Sequence, residues 1–217
     1  MPKKPRTPEE IQEVKQSILD KALELINEDG YNNFSMRKLA KKLNMTATPI
    51  YRYYRNKDEL YLSVLMQGFE NLYQILQDAY GAGYSPADRL KNVCREYIKF
   101  GINNSNFYNI MLVMDVPKFY DYVGTSAEQM ASLELEAAVK VRDFGIKAIK
   151  ESGLVNAQSS EEASLLIIEF ICSMHGFISI VNSQIAEYLN QGGADKAGNE
   201  MIGQYVDLIL RKLQKSS

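Results

Sequence analysis

Three groups of residues in this 217-residue chain have the types and spacing to do chemistry. The densest is Ser35–Lys57, with seven basic residues (Arg37, Lys38, Lys41, Lys42, Arg52, Arg55, Lys57) and no acidic one. Cations at that density, set among small and hydroxyl-bearing neighbours, suit a polyanion: phosphates by charge, base edges by directed hydrogen bonds. The second group is Glu169, Cys172 and His175, spaced three and three, which one helix face can bring together. Metal and nucleophilic chemistry both need convergent partners, and these two are all that the single histidine has nearby in sequence. The third group is aromatic and methionine-rich: Phe100, Phe107, Tyr108, Met111, Met114, Phe119, Tyr122, Met130, Phe170, Met174 and Phe177. Such residues form ordinary core or line an adaptable apolar pocket. The glycines of residues 81–85 lack the lysine and the spacing of a phosphate-cradling loop.

Two short helices must position the basic cluster. Met36, Leu39, Ala40 and Leu43 follow the i, i+3, i+4, i+7 rule and give one apolar face. A second pattern runs from Ala47 to Tyr54, with Ile50 and Tyr54 one turn apart facing inward. Ala47, Thr48, Tyr51 and Arg52 are left on the opposite face. The Leu43–Thr46 link is short enough to hold the pair at a steep angle, as in a helix-turn-helix, whose second helix fits the major groove. Ser35 and Thr46 are the expected N-caps, Thr46 through the N–H of Thr48. Pro49 falls within the first turn, where its missing N–H breaks no bond, and Asn44 stands where the chain needs a left-handed residue.

Ile18, Ala22, Leu25, Gly30, Tyr31, Ser35, Met36, Leu39, Ala40, Ile50, Tyr51, Tyr54, Lys57 and Leu60 together resemble the DNA-binding domain of the TetR family, over roughly residues 10 to 65. The family commonly has Gly where Asn44 and Thr48 stand, and Phe at Tyr54. Farther on, Tyr97-Ile98-Lys99-Phe100 and Asn106–Met111 resemble two helices of the WHG-type ligand domain. Ser173-Met174-His175-Gly176 is similar to that branch's Trp-x-His-Gly stretch, without the Trp. This second resemblance implies a small-molecule pocket and a dimer.

Composition agrees with a folded two-part chain. Hydrophobic residues make up 46%, enough for a substantial core. The net charge of −2 conceals an asymmetry: residues 1–57 carry twelve basic and seven acidic side chains, the remainder thirteen and twenty. The expectation is a polyanion-binding head on an acidic body. Cys94 and Cys172 lack paired spacing and read as buried free thiols of a reducing compartment, with no signal peptide preceding the first helix, hence a cytoplasmic location. The apolar run Ala163–Asn182 contains Glu169 and His175 and lacks basic flanks, so a buried helix is expected there and no membrane span.

In chain order, residues 1–8 form a basic arm that could touch phosphates or the minor groove. Residues 9–57 are the helix-turn-helix domain and 58–80 a connecting helix. Residues 81–217 form an all-α bundle for ligand binding and dimerisation. The helices expected there span Ala87–Ile102, Ser105–Met114, Lys118–Tyr122, Ser126–Ser152 closed by Gly153, Ser160–Tyr188 with Ser159 or Ser160 as cap, and Lys196–Leu213, the Gly192–Gly193 pair ending the fifth. About nine or ten helices are expected in all.

The reading is a homodimeric, ligand-responsive transcriptional repressor, not an enzyme and without cofactor or metal. Thr46, Ala47, Thr48, Pro49, Tyr51, Arg52 and Tyr53 form the recognition helix and its cap; Ser35, Arg37, Lys57 and also Tyr31 and Tyr53 hold phosphates. Arg52 is the expected base contact. Phe100, Phe107, Tyr108, Met111, Met114, Tyr122, Phe170, Met174, His175 and Phe177 are the pocket candidates, with His175 either a hydrogen-bonded core residue or a pocket-lining donor. Gly176 reads as a small-residue crossing or a concession to a ligand. Ile171, Ile178, Ile185, Met201, Tyr205, Leu208 and Ile209 are the dimer-surface candidates. The alternatives are an enzyme or metal protein built on Glu169, Cys172 and His175, and a protein-interaction module using the basic helices.

Overall fold

A computed structural model describes residues 6–154, 160–185 and 198–215. Among them there are helices and no strand. The elements are α1 (Pro8–Asp29), α2 (Met36–Lys42), α3 (Ala47–Tyr51), α4 (Lys57–Gly81), α5 (Pro86–Asn103) and α6 (Ser105–Tyr108). A π turn (Asn109–Val113) and a 3-10 turn (Phe119–Tyr122) follow, then α7 (Glu128–Glu151), α8 (Ser160–Asn182) and α9 (Asn199–Lys215). No helix among the described residues is long and apolar enough to cross a membrane. The cap expected at Ser159 and the Gly192–Gly193 break lie outside the described residues.

The chain divides into two compact units. The first takes the described part of Met1–Phe69 together with Asn109–Ala138; the second takes Glu70–Tyr108 and the described part of Val139–Ser217. The first unit therefore pairs the N-terminal helices with a segment that the sequence reading assigns to the C-terminal bundle. Specific contacts hold that segment: α1 packs on the π turn, and the Tyr61 hydroxyl donates to the Pro117 carbonyl at 3.2 Å.

Helix starts follow local chemistry. Thr7 caps α1 in a reciprocal box with Glu10, and Pro8 occupies the first turn, so α1 begins before Glu9 and the arm ends at Arg6. Ile18, Ala22, Leu25 and Ile26 are buried, whereas Ile11 and Val14 stay half exposed. Ser85 and Asp88 box α5 in the same way. The helix expected over Ser105–Met114 breaks into one α turn and a π turn, because the Met114 N–H reaches back five residues to the Asn109 carbonyl at 2.8 Å. Helix α8 stops at Asn182, short of Tyr188, and Gln184 follows with φ 62°.

Within the second unit, α5 packs against both α8 and α9. Phe170, Met174 and Ile178 are the buried stripe of α8; Ile202, Val206, Ile209 and Leu210 are that of α9. Gly101 of α5 is the closest approach: a Cβ there would lie 2.7 Å from Ile178 Cδ1 and 2.8 Å from its Cγ2. Asn182 ties the same crossing by donating to the Gly101 carbonyl at 2.9 Å. Ile178 is wholly buried and has little room to yield. Gly101→Ala gains about 1 kcal/mol of helix propensity but overpacks by about 1–3 kcal/mol. A net loss on the order of 1 kcal/mol in urea unfolding is expected; a stabilised variant would contradict the close crossing.

Candidate nucleic-acid interface

The reading head is held by a small set of buried side chains. Ile18, Leu39 and Ile50 have no exposure, and Ala40, Met36 and Tyr54 have almost none. Ser35 caps α2, its hydroxyl accepting the Lys38 N–H at 3.3 Å. Asn44 adopts φ 53°, the left-handed turn that lets α3 leave α2 steeply. Helix α3 is shorter than the Ala47–Tyr54 pattern: regular bonding ends at Tyr51, and the Tyr53 and Tyr54 N–H groups both fold back on the Ile50 carbonyl. Thr46 stands at the N-cap position but its side chain makes no capping bond.

With Ile50 and Tyr54 turned inward, Thr46, Thr48, Tyr51 and Arg52 are exposed, while Ala47, Pro49 and Tyr53 are half exposed. The tip of this surface is neutral hydroxyl, ring and guanidinium. Around it, the seven basic residues separate into two kinds. Lys38 pairs with Asp29 at 2.8 Å and Lys42 with Glu28 at 2.6 Å, both carboxylates belonging to the end of α1. Lys57 donates to the Tyr31 carbonyl at 2.6 Å and sits 3.9 Å from that ring's centroid. Burial lowers its pKa. It braces the start of α4 inside the unit, a role the phosphate expectation did not include. Tyr31 is buried and its hydroxyl donates to Asp58, which removes it from the surface. Arg37, Lys41, Arg52 and Arg55 are exposed, and their side chains have no carboxylate partner among the described residues, although the Arg55 backbone N–H donates to Glu59 at 2.7 Å. Arg6, the described end of the arm, donates to the Tyr53 hydroxyl at 2.9 Å and so adds a fifth cation beside α3.

The pocket candidates are shared between the two units. Met111, Met114 and Tyr122 fall in the first unit, the other seven in the second. His175 is a bridge between two phenols: the Tyr97 hydroxyl lies 2.9 Å from Nε2 and the Tyr108 hydroxyl 2.6 Å from Nδ1. Burial holds its pKa below the ordinary value. Both ring nitrogens are engaged, so His175 is neither a free donor nor a free metal ligand. Glu169 and Cys172 point outward, and no three His, Cys, Asp or Glu side chains among the described residues could share a metal. Cys172 departs from the buried-thiol expectation; Cys94 is buried, and that burial pushes its thiol up. Tyr97 was absent from the sequence candidates, although its place two residues before Lys99 in the resembling stretch was the available signal. A further hollow of about 230 Å³, unmarked in the sequence, is lined by Arg55, Asn56, Glu59, Ala127, Met130 and Leu133.

The dimer-surface candidates also separate. Ile178 and Ile209 are buried within the protomer. Tyr205 stacks on Phe177 with centroids 4.2 Å apart and donates to the Ser173 carbonyl at 2.6 Å. Met201 is half exposed, while Ile171, Ile185 and Leu208 face out, joined by Leu165, Ile168 and Ile180. Gly176 is exposed, and a Cβ on it would meet nothing within 4 Å, so it eases no crossing among the described residues.

The two hydroxyls at the helix starts give a paired test. Ser35→Ala removes a cap bond and should cost about 1 kcal/mol of stability. Thr46→Ala should stay within about 0.5 kcal/mol in urea unfolding, and its effect should appear only in nucleic-acid affinity. Equal destabilisation by both would contradict the cap assignment.

Comparison with known proteins agrees with this geometry. Residues 18–64 match the family described as bacterial regulatory proteins, tetR family. No curated protein matches the chain in sequence. Among solved structures, the chain is similar to the TetR family regulator PfmR from Thermus thermophilus: 18% identity, 89% of this chain and 97% of that one, TM-score 0.65. A TetR-family regulator from Bordetella parapertussis aligns with 14% identity over 91% and 94% of the two chains, TM-score 0.68. The regulator FadR from Bacillus subtilis, solved in complex with stearoyl-CoA, aligns with 14% identity over 93% and 98%, TM-score 0.65. Residues 18–64 thus match the tetR family's model, on a chain whose fold is shared with solved structures described as TetR-family transcriptional regulators.

Proposed function

We propose that the protein is a ligand-responsive repressor that binds a palindromic operator as a homodimer and is released by a small apolar or amphipathic effector. The observation that carries this reading is the exposed edge of α3, where Thr48, Tyr51 and Arg52 stand free on a helix anchored through Ile50. Arg52 suits a guanine edge, and Ala47 or Thr48 a thymine methyl. Arg37, Lys41, Arg55 and Arg6 supply charge for phosphates on either side; Ser35 and Lys57 act by holding the domain's shape. A five-residue helix spans few base pairs, so specificity needs a second copy on a two-fold site.

The outward aliphatic face of α8, with Leu165 at 67% and Ile168 at 55% exposure, supports pairing with a second copy. A helix apolar on both faces is suited to burial on both. Leu208 of α9 and Ile185 extend that face. The second unit, with Phe100, Phe107, Tyr108, Phe170, Met174, His175 and Phe177, is the proposed seat of the effector. Stearoyl-CoA, bound by the structural neighbour FadR, is the first probe to try. An effector can release DNA only by preferring one arrangement of the two heads, a coupling typically worth about 1–3 kcal/mol.

Fluorescence anisotropy on a duplex from the gene's own upstream region tests the reading. Affinity should fall steeply with salt and exceed that for scrambled duplex. Arg52→Ala should cost about 1–3 kcal/mol on the upstream duplex alone. The same loss on every sequence would show that Arg52 meets phosphate; no preference for the upstream duplex would overturn the reading.

A further inference from the structure

The hollow of about 230 Å³ in the first unit has two unlike walls. Arg55, Asn56 and Glu59, around the start of α4, make a polar one; Ala127, Met130 and Leu133, around the start of α7, make an apolar one. Each wall is fixed by its own backbone. Asn56 Oδ1 accepts the Glu59 N–H at 2.8 Å and Glu59 Oε2 accepts the Arg55 N–H at 2.7 Å, which locks the first turn of α4. On the other wall Ala127 is buried, and its carbonyl accepts the Ala131 N–H at 2.9 Å. The lock leaves the working ends of the polar wall unused. The Arg55 guanidinium, Glu59 Oε1 and Asn56 Nδ2 have no protein partner among the described residues. Opposite charges thus line one hollow without an ion pair between their side chains. Leu133 lines it while 45% exposed, so apolar area remains for a guest to cover.

We propose that this hollow binds a free α-amino acid with an aliphatic or thioether side chain. Charge selects the class. A zwitterion places its carboxylate on the Arg55 guanidinium, whose planar fork suits it, and its ammonium on Glu59. A simple carboxylate meets Glu59 as a like charge, and a simple amine meets Arg55. Each singly charged guest therefore carries a repulsion that the zwitterion escapes. Size narrows the choice, because drug-sized ligands fill about 300–1,000 Å³ and this space is smaller. Ala127, Met130 and Leu133 then favour an apolar side chain over a charged or hydroxylated one. The site belongs to the first unit, whereas the proposed effector seat belongs to the second. Its consequence rests on the DNA-binding reading. A bound carboxylate takes up Arg55, a cation which that reading gives to phosphate, so the amino acid competes with the operator.

Saturation-transfer NMR titrations of the full-length protein test the site, with L-leucine and L-methionine as probes. Both should bind saturably. Isocaproate and isopentylamine, which are leucine without its ammonium and without its carboxylate, should bind about 3- to 10-fold more weakly, the worth of one hydrogen bond. Arg55→Ala and Glu59→Gln should each weaken leucine by a similar factor. Glu59→Gln keeps an oxygen for the Arg55 N–H, and it should strengthen isocaproate, which the lost charge no longer repels. That opposite response separates charge recognition from a disturbed wall. On the upstream duplex, saturating leucine should weaken binding by the unaltered protein and leave Arg55→Ala unmoved. No saturable binding of either amino acid, isocaproate bound as tightly as leucine, or an unaltered leucine affinity in both variants would each overturn the site. Leucine binding with operator affinity unmoved would overturn the competition. Leucine binding by a protein with no operator preference supports the site and refutes only the regulator; operator binding without leucine binding refutes only the site.

Discussion

A five-residue helix cannot stand by itself in water, since nucleation fixes several residues for each hydrogen bond gained. Helix α3 lacks even a side-chain cap. Its place on the surface is set by the burial of Ile50 against the core and of Tyr54 just beyond the helix end. Removing those two side chains from water leaves no freedom for the other face: Thr48, Tyr51 and Arg52 must point out. The exposed edge of the first unit follows from that constraint, and these three side chains have no internal partner among the described residues. The acidic end of α1 serves the same purpose. By pairing Lys38 and Lys42, Asp29 and Glu28 tie α2 to the end of α1, while the cations nearer α3 keep their charge unpaired by carboxylate among the described residues.

The second unit is organised differently. Its central helix, α5, meets α8 at a glycine and α9 along a line that includes the Lys91–Asp207 ion pair. Helix α8 carries aliphatic side chains both toward α5 and away from it. Among the described residues, only one of those faces has its partner. The polar chain through His175 runs across the same α5–α8 contact, where an unsatisfied group would be costly. Both ring nitrogens of His175 are engaged there, so the chain satisfies the imidazole at the helix contact.

How far the sequence could be read depended on the range of the interactions involved. Ser35 and Asn44 act on their own backbone or on neighbours within a turn, so the cap of α2 and the bend after it were visible from residue type and spacing, whereas the cap expected at Thr46 does not form. Helix periodicity placed Ile50 and Tyr54 inward for the same reason. The bond from Lys57 to the Tyr31 carbonyl was not legible, because that partner lies twenty-six residues away and leaves no local trace. The π turn after Tyr108 depends on the choice of acceptor by Met114, which spacing alone does not reveal. Helix α8 defeated periodicity altogether: apolar on both sides, it gives no rule for telling the buried Ile178 from the exposed Ile180. Tyr97 was passed over because a tyrosine on an amphipathic helix looks like any other core aromatic until the histidine beside it is seen.

The central claim is that two copies of α3 enter successive major grooves of one duplex. Methylation interference on the gene's upstream region reads major-groove contacts at guanine N7 directly. Two clusters of interference should appear, related by a two-fold axis and separated by about one helical turn or a whole multiple of it. A single cluster, or protection confined to the minor groove, would contradict the account.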